Sequence, residues 1–293
     1  MTNAKYKGVI LIVISAFCFA LMSLFVRLSG DLPTFQKVFF RNFVALFIAA
    51  GTLVKNKTRF IVKGKTNNLV LLVRATAGTL GMVGNFYAID RLVMSDASML
   101  NKMSPFFVII FSVIFLKERL NSVQGFAVIA AFVGSLFIIK PTLHIDDVLP
   151  AVAGFLGGLG AGLAYTCVRY LGQHGVDKAV IVAYFSGFSC VFSLPFMLAS
   201  FHHMELWQLL CLLGAGTAAA GGQFTITAAY SYAPAREISV YDYSQLIFTT
   251  VLGYFVFSDT PDKWSFLGYF IIVSVSVGMF IYNNRDRSSP EVR

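Results

Sequence analysis

The sequence is poor in charged residues. Asp, Glu, Lys and Arg together make up 13% of its 293 residues, whereas apolar residues make up 57%. Soluble globular domains carry about 25% charged residues, so this chain lacks the polar side chains needed to cover a water-facing surface. A soluble enzyme is therefore excluded, and the composition indicates a protein embedded in a membrane.

Cysteine and histidine are also scarce, with four of each in the chain. All four cysteines lie inside apolar runs and none belongs to a C-x-x-C pair. They are interpreted as buried thiols that serve as small apolar side chains. The histidines fall in or near predicted loops, and we expect no metal site.

Motifs of common enzymes are missing as well. The sequence contains no H-E-x-x-H, no G-x-S-x-G and no G-x-x-x-x-G-K-[ST] phosphate loop. No carboxylates are paired at helical spacing within an apolar run. The chain is predicted not to be an enzyme, and no cofactor is expected. An integral membrane enzyme is kept only as an alternative.

What the sequence does contain is ten long apolar runs. A helix of about 20 residues crosses a hydrocarbon core of about 30 Å, and solidly apolar runs favour helices over a β-barrel. The predicted fold class is an all-α membrane protein with about ten transmembrane helices. The predicted spans are residues 8–28, 34–54, 69–89, 97–116, 122–140, 149–168, 179–200, 206–229, 238–257 and 264–283.

The basic residues indicate the orientation of these helices. The net charge is +9, and most of the 23 Lys and Arg residues fall in short loops on the side of the N-terminus. Such loops usually face the cytoplasm. We therefore predict a multi-pass protein of the plasma membrane with both termini cytoplasmic. The charge is attributed to this orientation rather than to a nucleic-acid partner.

Two segments indicate an internal repeat. Residues 86–120 resemble residues 227–261 at an offset of about 141, and on this register Asn101 meets Asp242. Each segment is followed by another apolar run. The repeat predicts that the chain consists of two related halves.

The charges at the ends of the two copies indicate that the halves are inverted. The first copy ends in a basic loop at 117–119, and the second ends in an acidic loop at 258–262. Two consecutive halves of five helices face opposite ways across a membrane, because five is odd. The predicted domains are a five-helix repeat at 1–143 and an inverted one at 144–293. Secondary transporters often have this architecture, with the substrate site near the midplane.

Three motifs resemble a known family. They are "DLPTFQKVFFRNFVAL" at 31–46, "YAIDRLVMSDASMLNKMSPFFVIIFSVIFLKERL" at 87–120 and "YSYAPAREIS" at 230–239. On these motifs the chain resembles the drug/metabolite transporter superfamily, in its ten-helix EamA-type branch, over nearly its whole length. The resemblance implies two EamA-type repeats and a metabolite carrier of the plasma membrane that works by alternating access. Residues 258–260 depart from the glycine-glutamate-arginine ending that the family often has there.

Charged residues inside apolar runs are candidates for function, since each costs about 2.5–3.5 kcal/mol on membrane insertion scales. Arg41, Lys102 and Asp242 lie inside predicted spans, whereas Arg74 lies nearer the cytoplasmic end of its span. Arg74 is expected to be structural or to reach the membrane surface along its long side chain. Lys102 and Asp242 are predicted to meet near the axis that relates the two halves. There they would clamp a zwitterion or exchange a proton.

Neutral polar residues complete the predicted site. Asn85 and Tyr87 are two positions apart, so at most one of them is expected to line a cavity from a straight helix. Hydrogen bonds between membrane helices average about 0.6 kcal/mol, so such residues serve either packing or binding. The predicted substrate-binding residues are Arg41, Asn85, Tyr87, Asn101, Lys102, Tyr165, Tyr241, Asp242 and Gln245.

These features together predict a secondary transporter with a central cavity between its two halves. Its expected partners are a small-molecule substrate and the lipid bilayer. An amino acid or a related zwitterion or anion is favoured as substrate, because the intramembrane cations Arg41 and Lys102 accompany Asp242. Coupling to protons is an open alternative to uncoupled transport. A channel is the remaining alternative, although channels usually build filters from carbonyl loops or charged rings.

Overall fold

The computed structural model describes residues 3–58, 60, 62–116, 122–139, 145–232 and 239–285. Within these ranges all regular structure is helical, which confirms the predicted fold class. A 3-10 helix at Ser239–Tyr243 accompanies eleven α-helices. These are α1 (Asn3–Leu28), α2 (Thr34–Lys55), α3 (Lys65–Ile89), α4 (Met94–Asn101), α5 (Ser104–Leu116), α6 (Ser122–Ile139), α7 (Ile145–Gln173), α8 (Lys178–Ala199), α9 (Leu206–Tyr232), α10 (Ser244–Phe257) and α11 (Lys263–Arg285).

Seven of these helices are long and apolar enough to cross a membrane, namely α1, α2, α3, α7, α8, α9 and α11. Helix α6 contains a shorter apolar segment, Gly125–Ile138. Large apolar side chains also cover the outside of the bundle, and Val191 and Phe255 are 74% and 79% exposed. A surface of this kind suits lipid rather than water.

The two remaining predicted spans are broken helices. The span predicted at 97–116 consists of α4 and α5, which are separated by a turn at Lys102 and Met103. The span predicted at 238–257 consists of the 3-10 helix followed by α10. Each stretch was predicted as one span, and the break inside it was not predicted. Apolar residues flank both breaks, whereas polar residues such as Asn101, Lys102 and Asp242 lie at or beside them.

A tyrosine from the second half caps the break in the first half. The Tyr243 hydroxyl donates a hydrogen bond to the Lys102 carbonyl at 3.0 Å. A backbone carbonyl that loses its helical partner inside a membrane needs a replacement donor, because no water is present there. Pro105 lies in the first turn of α5, where proline is well tolerated.

Glycines on α7 allow its neighbours to approach closely. A Cβ atom at Gly160 would lie 2.6 Å from the Ala77 carbonyl oxygen of α3, and one at Gly158 would lie 2.5 Å from the Leu100 carbonyl oxygen of α4. Only glycine fits at such distances. Helix α7 therefore packs directly on the backbones of α3 and α4, and it holds the end of α4 in the middle of the bundle.

Two ion pairs join helix ends to adjacent loops at the end of the bundle that is predicted to be extracellular. Lys37 Nζ donates to Asp90 Oδ1 at 2.6 Å, and Arg27 forms an ion pair with Asp259. We call these four residues the outer network. Burial raises the pKa of the Asp90 carboxyl above its usual value, although the adjacent Lys37 opposes this rise.

Asp259 links the two halves within this network. Its carboxylate accepts a hydrogen bond from Arg27 Nη2 of the first half at 3.1 Å and another from the Met94 backbone N–H at 3.1 Å. The preceding residue, Ser258, ends α10 in the left-handed conformation with φ of 55°. This helix ending turns the chain back, so that Asp259 points towards α1 and α4.

Candidate functional site

The two helix breaks meet at a buried ion pair. Lys102 Nζ lies 2.5 Å from Asp242 Oδ2, and the two side chains are only 6% and 5% exposed. Lys102 caps the C-terminus of α4, and Asp242 belongs to the 3-10 helix that precedes α10. The prediction that these charges meet is confirmed.

One oxygen of this pair has no further partner among the residues that the structure describes. Asp242 Oδ1 is buried and accepts no hydrogen bond there. A buried carboxylate oxygen is costly when it lacks a donor. The ion pair is therefore only partly satisfied, and Asp242 retains an acceptor position for another group.

A cavity of about 90 Å³ lies beside Lys102, between the two halves. Its wall includes residues of the first half and residues of the second half. Six of the predicted binding residues line it, namely Arg41, Asn85, Asn101, Lys102, Tyr165 and Gln245. The structure thus brings most of the predicted site together around one space.

Three predicted residues lie outside the cavity wall. Asp242 contacts Lys102 without lining the space itself. Tyr87 lies under the guanidinium of Arg91, whose Cζ is 3.9 Å from the ring centroid. Tyr241 packs edge-on against Phe280, with ring centroids 5.8 Å apart. These two tyrosines are therefore not brought into the site in this conformation.

The expectation that at most one of Asn85 and Tyr87 lines a cavity is confirmed. Asn85 faces the space, whereas Tyr87 points away from it. Both belong to α3, in which positions two apart project about 200° from each other. Helical geometry was therefore sufficient to separate them, although it did not indicate which residue faces inward.

The expectation that Arg74 reaches the membrane surface was wrong, whereas a structural role for it is not tested. Its side chain does not reach the membrane surface, because the residue is 3% exposed and lines the cavity. Helix α3 begins at Lys65, about one turn before the predicted span at 69–89, so Arg74 lies deeper than expected. A charge inside an apolar run was the signal that identified it, and the misjudged helix start concealed its depth.

Two further cavity residues were not among the predicted binding residues. Phe185 and Gln223 both line the space. Nothing distinguishes Phe185 from the other phenylalanines, of which the chain has thirty. In the structure, however, its ring lies 3.8 Å from Arg74 Cζ and 5.8 Å from Arg41 Cζ. Phe185 is therefore the aromatic contact of both buried arginines.

The guanidinium of Arg41 is held by a neighbouring side chain. Its Nη1 donates to Asn42 Oδ1 at 2.6 Å, while its Nε is buried without a hydrogen-bond partner among the described residues. Asn42 Nδ2 in turn donates to the Val38 carbonyl at 2.8 Å. These bonds fix the end of the Arg41 side chain on α2 beside the cavity.

This architecture defines the class of protein. Discontinuous helices that meet at a polar cavity between two halves of a helical bundle are typical of membrane transporters. The sequence model of the EamA-like transporter family matches the chain twice, at residues 6–140 and at residues 149–281. The chain therefore belongs to the EamA-like transporter family, and it is a membrane transporter rather than an enzyme.

Several curated relatives that match most of this chain are named as transporters or solute carriers. The pseudopaline exporter CntI of Pseudomonas aeruginosa is 32% identical over 281 residues, which cover 93% of this chain and 95% of the exporter. The riboflavin transporter of Brucella anthropi is 28% identical over 84% of this chain and 87% of its own. Human solute carrier family 35 member G1 is 25% identical over 94% of this chain and 79% of its own.

The fold is also found among solved structures. One crystal structure matches 97% of this chain and 99% of its own chain with a TM-score of 0.68, at 11% sequence identity. A match at this identity supports the fold alone.

The two family matches fall inside the predicted halves 1–143 and 144–293, but the boundary at 143–144 lies outside the described residues. The same is true of segments 117–120 and 233–238, which carry part of the resemblance.

Proposed function

We propose that this transporter is a secondary carrier that moves a small anionic or zwitterionic metabolite across the plasma membrane. The observation that carries this proposal is the cavity between the halves, whose wall includes the cationic residues Arg41, Arg74 and Lys102. Charged residues inside a membrane protein usually mark the path of its substrate. The names of relatives, such as the pseudopaline exporter CntI, agree with transport of small organic molecules.

Alternating access is the proposed mechanism. The cavity of about 90 Å³ is smaller than the roughly 300–1,000 Å³ of most ligand sites. The two halves must therefore separate before a metabolite enters. The outer network joins the halves at one end of the bundle through Arg27 and Asp259, so opening on that side requires this contact to break.

Lys102 and Asp242 are proposed to respond to the substrate. They join the two halves at both helix breaks, and Asp242 Oδ1, which has no donor among the described residues, can accept a hydrogen bond from a substrate. A zwitterion can compete for both partners, with its carboxylate on Lys102 and its ammonium on Asp242. In a proton-coupled cycle, the same pair would exchange a proton when the halves move apart.

Counterflow in proteoliposomes tests this proposal. Liposomes that contain the purified protein are loaded with one unlabelled solute, and uptake of the labelled solute is followed with and without a proton gradient. The panel contains amino acids, carboxylic acids, neutral cofactors and cationic amines. Saturable counterflow of an anionic or zwitterionic solute is expected. Constant conductance without counterflow would instead support a channel, and counterflow of cationic amines alone would contradict the proposed substrate class.

A further inference from the structure

Two buried arginines of the first half share one aromatic ring of the second half. Arg41 on α2 and Arg74 on α3 are 2% and 3% exposed. Their Cζ atoms lie 5.8 and 3.8 Å from the ring centroid of Phe185 on α8. Both guanidinium groups border the same cavity, together with Asn85 and Tyr165.

Neither arginine has an acidic partner among the residues that the structure describes. The ion pairs found there are Arg27–Asp259, Lys37–Asp90 and Lys102–Asp242. In the same ranges Arg74 Nε and Nη1 are buried and lack hydrogen-bond partners, as is the Nε of Arg41. Three guanidinium nitrogens of residues that border the cavity therefore lack an acceptor among the described residues.

This arrangement is electrostatically unfavourable when no ligand is bound. Arginine stays protonated in proteins, and the two guanidinium groups repel each other. Contact with the face of Phe185 compensates only part of the cost, because a cation–π contact contributes much less than a carboxylate partner. Lys102 is paired with Asp242, so within the described part of the chain Arg41 and Arg74 are two positive charges at the cavity that no acidic side chain compensates.

We propose that Arg41 and Arg74 bind two anionic groups of one substrate, so that the transported solute is a dianion, in its simplest form a dicarboxylate. This inference rests on the proposed carrier function and specifies its substrate class. A guanidinium binds a carboxylate through two parallel hydrogen bonds. Arg41 and Arg74 belong to different helices, so each guanidinium can bind one carboxylate of the same solute. Asn85 and Tyr165 supply further polar contacts, and Phe185 packs against the solute between its charged ends.

Ligand-dependent thermal stability of the purified protein tests this inference. The melting temperature is measured in detergent with increasing concentrations of dicarboxylates from malonate to adipate. The half-amide of each acid and inorganic phosphate serve as comparison ligands. At least one dicarboxylate should raise the melting temperature saturably, and its half-amide should need at least a tenfold higher concentration because one carboxylate is missing.

Matched variants localise the binding. Arg41→Gln and Arg74→Gln should each weaken dicarboxylate binding at least tenfold and bring its affinity close to that of the half-amide. Arg74→Lys keeps the charge but loses the planar donors, so an intermediate affinity is expected. Arg91→Gln, which changes an exposed arginine outside the cavity, should leave the affinity unchanged. Melting of each variant without ligand shows that it is folded.

The outcomes separate this inference from the carrier proposal. Dicarboxylate binding that persists in both glutamine variants would overturn the inference, as would absence of stabilisation by every dicarboxylate. Equal or tighter binding of inorganic phosphate or of the half-amides would also overturn it. If the protein shows saturable counterflow of a monoanionic solute but binds no dicarboxylate, the carrier proposal stands and the dianion site fails. Dicarboxylate binding without any counterflow would support the site and contradict the carrier.

Discussion

Lys102 and Asp242 lie 140 positions apart in the chain, yet their charged atoms are 2.5 Å apart in the centre of the bundle. Each residue sits beside the break of a discontinuous helix, one in each half. Because both side chains are buried, their charges depend on each other for stabilisation. The contact therefore couples the position of one broken helix to that of the other.

Breaking this pair from one side should destabilise the protein. Lys102→Met leaves Asp242 buried without a cation, which should lower the free energy of unfolding by about 3 kcal/mol. The double variant Lys102→Met/Asp242→Leu removes both charges and should recover much of that loss. A double-mutant cycle of thermal or denaturant unfolding measures this coupling. Additive effects of the two single changes would contradict the prediction.

Transport should depend on the same pair. Asp242→Asn and Lys102→Ala are each expected to abolish most counterflow at unchanged expression, because either change removes a group that responds to the substrate. Asp31→Asn, which alters an exposed carboxylate in the loop before α2, is the matched control and should retain activity. Wild-type rates in both pair variants would show that the ion pair only supports packing.

Arg74 is expected to lower the free energy of unfolding when no substrate is bound. Replacing it with methionine removes a buried charge that has no acidic partner within the described part of the chain. The free energy of unfolding of Arg74→Met should therefore rise by about 1 kcal/mol or more, while counterflow falls sharply. Thermal unfolding in detergent and transport assays on the same preparation measure both effects. A loss of stability would show instead that Arg74 holds the bundle together.

The outer network should limit access to the cavity from the side predicted to be extracellular. Arg27→Gln removes the contact with Asp259 that joins the two halves. A cysteine introduced by Met82→Cys, which lines the cavity, reports on access. In a background without the four native cysteines, a membrane-impermeant thiol reagent should label it several-fold faster in the Arg27→Gln variant. Arg91→Gln is the control, and equal labelling rates in both variants would exclude a gating role.

Two glycines of α7 should respond in opposite ways to the same substitution. A Cβ at Gly158 would lie 2.5 Å from the Leu100 carbonyl oxygen, whereas a Cβ at Gly172 meets nothing within 4 Å. Gly158→Ala should lower the free energy of unfolding by about 1–3 kcal/mol because it overpacks the contact with α4. Gly172→Ala should be neutral or stabilising by up to about 1 kcal/mol. Unfolding measurements on both variants test this contrast, and equal effects would contradict it.

Several features of the candidate site were predictable because a membrane makes them costly. A charge in an apolar run must have a partner or a purpose, so Arg41, Lys102 and Asp242 were recognisable before the fold was known. The weak repeat at an offset of about 141 residues placed Lys102 and Asp242 near corresponding positions, and the structure confirmed their contact. Tyr87 and Tyr241 illustrate the opposite case, because polarity alone does not tell which side of a helix faces the cavity.

The long apolar runs and the low charge content suffice to establish a helical membrane protein. Each apolar run must satisfy its own backbone hydrogen bonds in lipid, and this requirement leaves helices as the solution for runs of this length. The places where two of those helices break depend on tertiary contacts, because Tyr243 replaces a lost backbone donor at Lys102. Tertiary contacts also decide that Arg74 faces the cavity, since the rotation and depth of α3 depend on its close packing against α7. Contacts between distant segments, rather than local composition, determine such positions.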